Sequence, residues 1–381
     1  MRAPAPADFT SRLRSPAVAS RVGVALGASF TVCFLTGLLS HYAQLPSQPV
    51  PFPTSPAWGY RVTQGLHVLT GTAAVPLLLV KLWTVFPRLF LRPPRPSRQL
   101  LTDLAERASI AVLVASALFL LASGLVNMTG WYPWAFSFRT THYAVAWVAI
   151  GALAVHVAVK LPVVREALRA DIDDTALDRP TATEPGAVTR RGLVRTTWLA
   201  GGVAVLATAG NSVGWLRGLS VLSVRSGEGP QGLPVNKSAR AAGVTAAATS
   251  GDYRLEVAHA GRSRSFTLAE LRALPQQVEV LPIACVEGWS ENGTWGGVRL
   301  RTLLDAVDVP AGTPVSVESL QEAGAFRRSV LPGNFADDER TLVALDLGGA
   351  PLALDHGFPA RLIAPNRPGV KQTKWLRRIS A

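Results

Sequence analysis

Long apolar runs alternate with short basic stretches in the first half of the chain, and short strand-like and helix-like segments fill the second half. The runs at Val22–Leu39, about Val62–Phe86, Ile110–Met128 and His142–Leu161 are each long enough to cross a bilayer as a helix. A weaker run, rich in Gly and Ala, covers Thr196–Val213. Past residue 249 the period shortens. Strands are expected at Arg254–Ala258, Val278–Ile283 and Val315–Leu320, with short helices at Leu268–Leu274 and Leu300–Val307. The pattern predicts a multi-domain chain, an all-α transmembrane bundle of five spans followed by an α+β domain. Its expected parts are a tail (1–21), a four-helix membrane domain (22–165), a basic linker (166–195), a fifth span (196–213), an outer linker (214–248) and a C-terminal domain (249–381).

Charge orients this pattern. The chain carries a formal net charge of +13, yet from Thr245 onward 15 Lys/Arg balance 15 Asp/Glu. The whole excess therefore lies among the apolar runs, which excludes a nucleic-acid surface and matches the cytoplasmic loops of a membrane protein. Arg12, Arg14 and Arg21, the loop around Arg92 and Arg95, and the segment from Arg165 to Arg191 are expected inside. The proline-rich loop near Pro49 and the aromatic loop Trp131-Tyr-Pro-Trp134 are expected outside, and five spans then place the C-terminal domain outside. Two cysteines, one in an apolar run, build no disulfide framework.

Histidines within the spans call for a role, since ionisable groups there are costly. His142 and His156 stand fourteen residues apart, about 21 Å along one helix and on nearly the same face. The four-helix part resembles di-haem cytochrome b subunits. The resemblance implies haem b ligated by His67 and His142, which match in depth. An inner site at His156 lacks a partner, because Lys81 stands where a second histidine is needed. One haem is expected, with His156 a possible ligand or a polar site near a quinone. Interhelical hydrogen bonding without haem is the competing reading, and His41 is the substitute ligand.

Cys285 ends an apolar strand just before Glu287 and Gly288. A thiolate there can be a soft metal ligand, a nucleophile, or an inert buried thiol. Ala284-Cys-Val-Glu-Gly-Trp-Ser290, Trp295-Gly-Gly-Val298, Asp355-His-Gly-Phe-Pro-Ala-Arg-Leu-Ile-Ala-Pro365 and Gly369-Val-Lys-Gln-Thr-Lys-Trp375 together resemble the molybdenum-binding core of the sulfite oxidase superfamily, over roughly Tyr253–Ala381. The resemblance implies a molybdenum–molybdopterin cofactor with Cys285 as its protein ligand. It implies cofactor contacts from Ser319, His356, Arg361, Gly369, Val370, Lys371 and Lys374, with Asn236 and Lys237 as weaker candidates in the linker. Glu287 is a candidate proton carrier, and on a strand it would share a face with Cys285.

Sulfite oxidases carry arginines just after the ligand cysteine, whereas Val-Glu-Gly-Trp-Ser follows here. That departure is closer to the periplasmic methionine sulfoxide reductase branch. It implies an enzyme of the bacterial cell membrane that exchanges electrons between the quinone pool and a small extracytoplasmic oxo-transfer substrate. Sulfite-dehydrogenase-type oxidation and a non-catalytic membrane-anchored binding module are the alternatives. Thr189-Arg-Arg-Gly-Leu-Val-Arg195 resembles a twin-arginine export signal, which suits a domain that receives its cofactor before export. Two positive-inside arginines are the plainer reading.

Overall fold

The computed structural model describes residues 5–90, 98–223 and 229–381. Arg92 and Arg95, expected to orient an inner loop, lie outside the described residues. The chain forms two compact units. One comprises Met1–Gly37, Leu66–Asn127 and Trp131–Ala209; the other comprises Leu38–Gly65, Met128–Gly130 and Gly210–Ala381.

Five long helices account for the apolar runs: α1 (Pro16–Ala43), α2 (Gly59–Val85), α3 (Arg98–Met128), α4 (Phe138–Arg169) and α5 (Arg190–Ala209). All five are long and apolar enough to cross a membrane. Large apolar side chains such as Leu79, Trp147, Val155 and Val203 point outward from them. Helices apolar on their outer faces suit lipid rather than water. Helix α5 starts six residues before the expected span, because the arginine-rich segment joins the helix and Thr189 Oγ1 caps the Gly192 N–H at 3.0 Å.

In the second unit the strands form two five-stranded sheets. One has the order β2 (Arg262–Thr267), β1 (Arg254–His259), β10 (Leu376–Ser380), β5 (Val315–Ser319), β6 (Arg328–Leu331). Only its β1–β10 pair is parallel. The other runs β3 (Gln276–Ala284), β4 (Ser290–Arg299), β7 (Leu342–Leu347), β8 (Ala350–Pro351), with β9 (Arg361–Ile363) also paired to β7. Val257 and Val317 of the first sheet and Val298, Val343 and Leu362 of the second share one buried core. The five expected elements appear within a few residues of their predicted bounds. The glycine-containing β4 was not anticipated, because Gly293, Gly296 and Gly297 break the strand pattern. Gly297 has a packing reason: a Cβ there would sit 2.2 Å from the Val343 carbonyl oxygen, at a shift in the β4–β7 register.

The segment 214–248 is not free linker throughout. Short helices α6 (Ala239–Ala242) and α7 (Thr245–Thr249) bury Ala239, Val244 and Ala248 against Trp375. Small alanines permit that close approach, and their low hydropathy contrast made the segment read as spacer. The loop 44–58 is likewise packed within this unit. Asn366 accepts the Tyr60 N–H and donates to the Pro53 carbonyl at 2.7 Å, and Asn334 donates to the Phe52 carbonyl at 2.8 Å.

Candidate active site

Strand β3 ends at Ala284, so Cys285 is the first residue of the hairpin loop that leads into β4. Its N–H donates to the Trp289 carbonyl at 2.8 Å, and the Gly288 N–H donates back to the Cys285 carbonyl at 3.1 Å. Gly288 has φ +85°, a conformation that favours glycine. Ser212 Oγ donates to the Gly288 carbonyl at 3.0 Å and the Ser290 N–H to the Asn211 carbonyl at 2.8 Å, so the chain after α5 braces the same loop. Glu287 therefore lies in a turn rather than on a strand. It is buried and accepts the Trp289 indole N–H at 3.1 Å.

The C-terminal stretch closes on this loop. Pro368 bridges Ala284 in parallel, and a Cβ on Gly369 would meet Ile283 at 3.0 Å and the Ala284 carbonyl oxygen at 3.1 Å. Glycine at 369 lets the tail lie directly on the end of β3. Gly357, at φ +114°, has the same function for two cations: a Cβ there would meet Lys374 at 3.1 Å and Arg361 at 3.2 Å.

Arg361 is buried on β9. Its Nη1 donates to the His356 carbonyl at 3.1 Å, its guanidinium lies 5.3 Å from the Trp295 ring centroid, and its Nε has no hydrogen-bond partner. Burial pushes this guanidinium down to about 9, with the Cys285 charge acting in the opposite direction. Lys374 Nζ donates to the carbonyls of Lys237 at 2.7 Å and Asp355 at 2.9 Å. Burial, reinforced by Arg361, lowers its ammonium to about 7 against the opposing charges of Cys285, Asp355 and Glu287. Among the described residues neither cation forms an ion pair. Two desolvated cations beside a thiol, one with an unsatisfied donor, make a site built for an anion carrying a soft centre.

Comparison with known proteins agrees with that chemistry. Residues 242–381 match the family described as oxidoreductase molybdopterin binding domain. These residues are a molybdopterin-binding domain of the sulfite oxidase superfamily. The chain is 29% identical over 153 residues to mitochondrial sulfite oxidase of Drosophila melanogaster, covering 34% of this chain and 27% of that protein. It is 33% identical over 128 residues to an Azospira oryzae protein assigned as protein-methionine-sulfoxide reductase subunit YedZ1, covering 33% of this chain and 48% of that protein. The chain thus spans about half, or less, of these relatives. The sulfane dehydrogenase SoxCD of Paracoccus pantotrophus aligns with 25% identity and a TM-score of 0.30 over 34% of this chain and 38% of that one.

The molybdopterin domain fits its cofactor at Cys285, Arg361 and Lys374. Cys285 offers the soft sulfur that a molybdenum ion takes, and the open Arg361 Nε and the Lys374 ammonium answer an anionic pterin or phosphate. Ser319 is buried beside them, its Oγ donating to the Lys374 carbonyl at 2.8 Å, so it orients the lysine's backbone. Lys237 reaches this neighbourhood through its carbonyl, while its Nζ donates to Gln321 at 2.7 Å. Asn236 is exposed. Val370 belongs to the 3-10 turn Gly369–Lys371.

Two expected contacts have other partners in the structure. Lys371, expected at the cofactor, donates from Nζ to the carbonyls of Leu45 and Pro46. His356 is buried with Nε2 at 2.6 Å from the Pro230 carbonyl, and burial pushes its imidazole down to about 4. A neutral ring donating Nε2–H to that carbonyl is the consistent tautomer. The placement of Trp295 beneath Arg361, and the buried Arg367, are not anticipated by the sequence reading. Arg367 donates to the carbonyls of Lys371 and Val330, both at 3.0 Å, and burial lowers it to about 9. Nothing local in the sequence separates it from a solvated arginine.

In the helical unit, His67 of α2 and His142 of α4 face each other with ring centroids 6.3 Å apart and planes at 68°. His67 Nδ1 lies 2.8 Å from the Cys33 carbonyl and His142 Nδ1 lies 3.2 Å from Ser123 Oγ. A carbonyl only accepts, so His67 carries its proton on Nδ1 and presents the Nε2 lone pair. Lys81 donates to the Ala19 carbonyl at 2.7 Å, and His156 stands half-buried on α4.

Proposed function

We propose that the chain is a membrane-anchored molybdopterin-dependent oxidoreductase that passes electrons between the quinone pool and an extracytoplasmic oxo-transfer substrate such as a sulfoxide. The observation that carries this reading is the buried Cys285 beside the buried Arg361 and the half-buried Lys374, cations that form no ion pair among the described residues. When bound, the cofactor supplies two-electron oxygen-atom transfer. Cys285 holds the metal, Arg361 and Lys374 neutralise the anionic group, and Trp295 and Trp289 keep water from the loop. The sulfoxide half-reaction consumes two electrons and two protons and releases sulfide and water. Glu287 is the buried carboxylate able to pass a proton at that loop.

The A. oryzae relative's assignment as a methionine sulfoxide reductase subunit supports the sulfoxide class. The absence of basic residues in Val286–Ser290 weighs against a sulfite pocket. His67 and His142 are the proposed ligands of one haem b. Their facing rings, with centroids 6.3 Å apart, support the pairing, and the anchored Nδ1 of His67 is the usual support for such a ligand. The proposed topology has the N-terminus inside and the C-terminal domain outside, reached by way of Arg190 and Arg191 as an export signal.

The test is metal analysis with steady-state turnover on detergent-purified protein. Molybdenum near one per chain and quinol-dependent reduction of methionine sulfoxide are expected, both lost in Cys285→Ser. Sulfite oxidation by the wild-type protein without sulfoxide reduction moves the assignment to a sulfite dehydrogenase. Absence of molybdenum leaves a binding module.

A further inference from the structure

At one end of the helical unit an open, shallow cavity of about 650 Å³ is lined by Arg21, Arg169, Asp171, Arg191, Arg195 and Trp198, with Ala170, Ile172 and Val194 completing it. That volume suits a small-molecule group. Four arginines against one carboxylate leave the lining strongly positive.

The four arginines differ in what they already hold. Arg21 donates to the carbonyls of Ala167 at 2.9 Å and Ala170 at 3.0 Å, covering the C-terminal end of α4. Those carbonyls would otherwise repel an anion. Arg191 is paired with Asp171 at 2.8 Å and with Asp173 at 3.3 Å, so the only acid of the lining is already neutralised. Arg169 and Arg195 are exposed and, among the described residues, make no ion pair. They come from the last residue of α4 and the second turn of α5, helices that both reach from this end into the apolar layer. The N-terminal end of α5 adds the positive end of a helix dipole. Beside these cations Val194 is buried and Trp198 is 52% exposed, an apolar wall with an indole at its rim.

We propose that this cavity binds the phosphate headgroup of an anionic phospholipid, with Arg169 and Arg195 as its charge partners and Trp198 against the glycerol and first acyl carbons. Basic residues immediately beside membrane spans attract anionic lipid, and an indole suits the headgroup level. A soluble phosphate would use the arginines but gain nothing from Trp198, which is why the lipid is the occupant chosen.

The test uses the full chain in detergent, titrated with phosphatidylglycerol, phosphatidylcholine and inorganic phosphate and read by native mass spectrometry. Phosphatidylglycerol should bind in preference to phosphatidylcholine. The double variant Arg169→Ala/Arg195→Ala should weaken it about tenfold or more, and Trp198→Ala should weaken it while leaving phosphate unaffected. Arg165→Ala removes an exposed arginine on the same helix end that does not line the cavity, and should change nothing. Equal binding of both lipids, equal loss in Arg165→Ala, or inorganic phosphate displacing the lipid at similar concentration would each overturn the proposal. Incorporation into lipid nanodiscs is scored separately: failure there refutes the spanning helices, whereas incorporation without headgroup preference refutes only this site.

Discussion

The guanidinium of Arg361 lies over the indole of Trp295, 5.3 Å from its centroid, and is buried with its Nε unpartnered. An arginine so placed is a cost to the cofactor-free fold and a benefit only when an anion arrives. Trp295 comes from β4 and Arg361 from β9, two strands that both pair with β7. The register of β7 therefore sets the stacking.

That cost should be measurable. In protein made without molybdopterin, Arg361→Met should raise stability by about 1 kcal/mol, and Arg361→Met and Lys374→Met should each abolish cofactor loading in a competent host. Lys374 is lowered to about 7, so between there and its ordinary value of 10.5 the unfolded chain holds a proton that the folded chain has lost. Stability of the cofactor-free wild type should accordingly rise with pH across that window. Thermal melts of both forms check the sign; a destabilised Arg361→Met variant would count against an anion site.

His356 sets a second, more acidic window. Its folded value of about 4 lies below the ordinary 6.5, so the unfolded chain binds the extra proton. Stability from this group is complete above about 6.5 and is lost as pH falls toward 4, by at most about 3 kcal/mol. His356→Gln, which can still donate to the Pro230 carbonyl, should flatten that slope. Tryptophan fluorescence melts between pH 4 and 7 provide the comparison.

For the membrane pair, His67→Ala and His142→Ala should each remove the b-type absorbance, and His156→Ala should retain most of it. Ser123→Ala should shift or weaken the spectrum, because Ser123 Oγ holds His142 Nδ1. Haem content near one per chain is expected. A value near two would restore an inner site at His156.

Arg190 and Arg191 should behave differently from one another. Arg190 is buried, forms an ion pair with Asp178 and donates to the carbonyls of Arg12, Ile172 and Asp174. Arg191 is exposed on Asp171 and Asp173. Arg190→Lys should destabilise the helical unit by about 3 kcal/mol, as loss of a buried bridging arginine does, whereas Arg191→Lys should be near neutral for stability. A reporter fused after Ala381 then reads export separately. If Arg191→Lys alone holds the C-terminal domain inside, the pair is an export signal; if only Arg190→Lys has an effect, its role is structural.

The spans, their number and the identity of Cys285, Arg361 and Lys374 as candidates were legible in the chain, because length of apolar run and residue type are local properties. The use of each side chain was not. Lys371 and Lys374 sit three residues apart in one motif, yet one faces the carbonyls of Leu45 and Pro46 and the other those of Lys237 and Asp355. The 3-10 turn at Gly369–Lys371, which the chain leaves at Gln372 with φ −88° and ψ 81°, directs them apart and has no periodic signature. Arg190 illustrates the same limit: charge beside a span orients it through a field that acts over many residues, whereas burial on Asp178 depends on one contact that only the folded chain makes. Sequence alone thus determined five helices long and apolar enough to span, the one cysteine of the C-terminal domain and the cations available. Only the tertiary structure decided which cations were left without a partner, because that depends on which carbonyls and carboxylates the fold brings within hydrogen-bond reach.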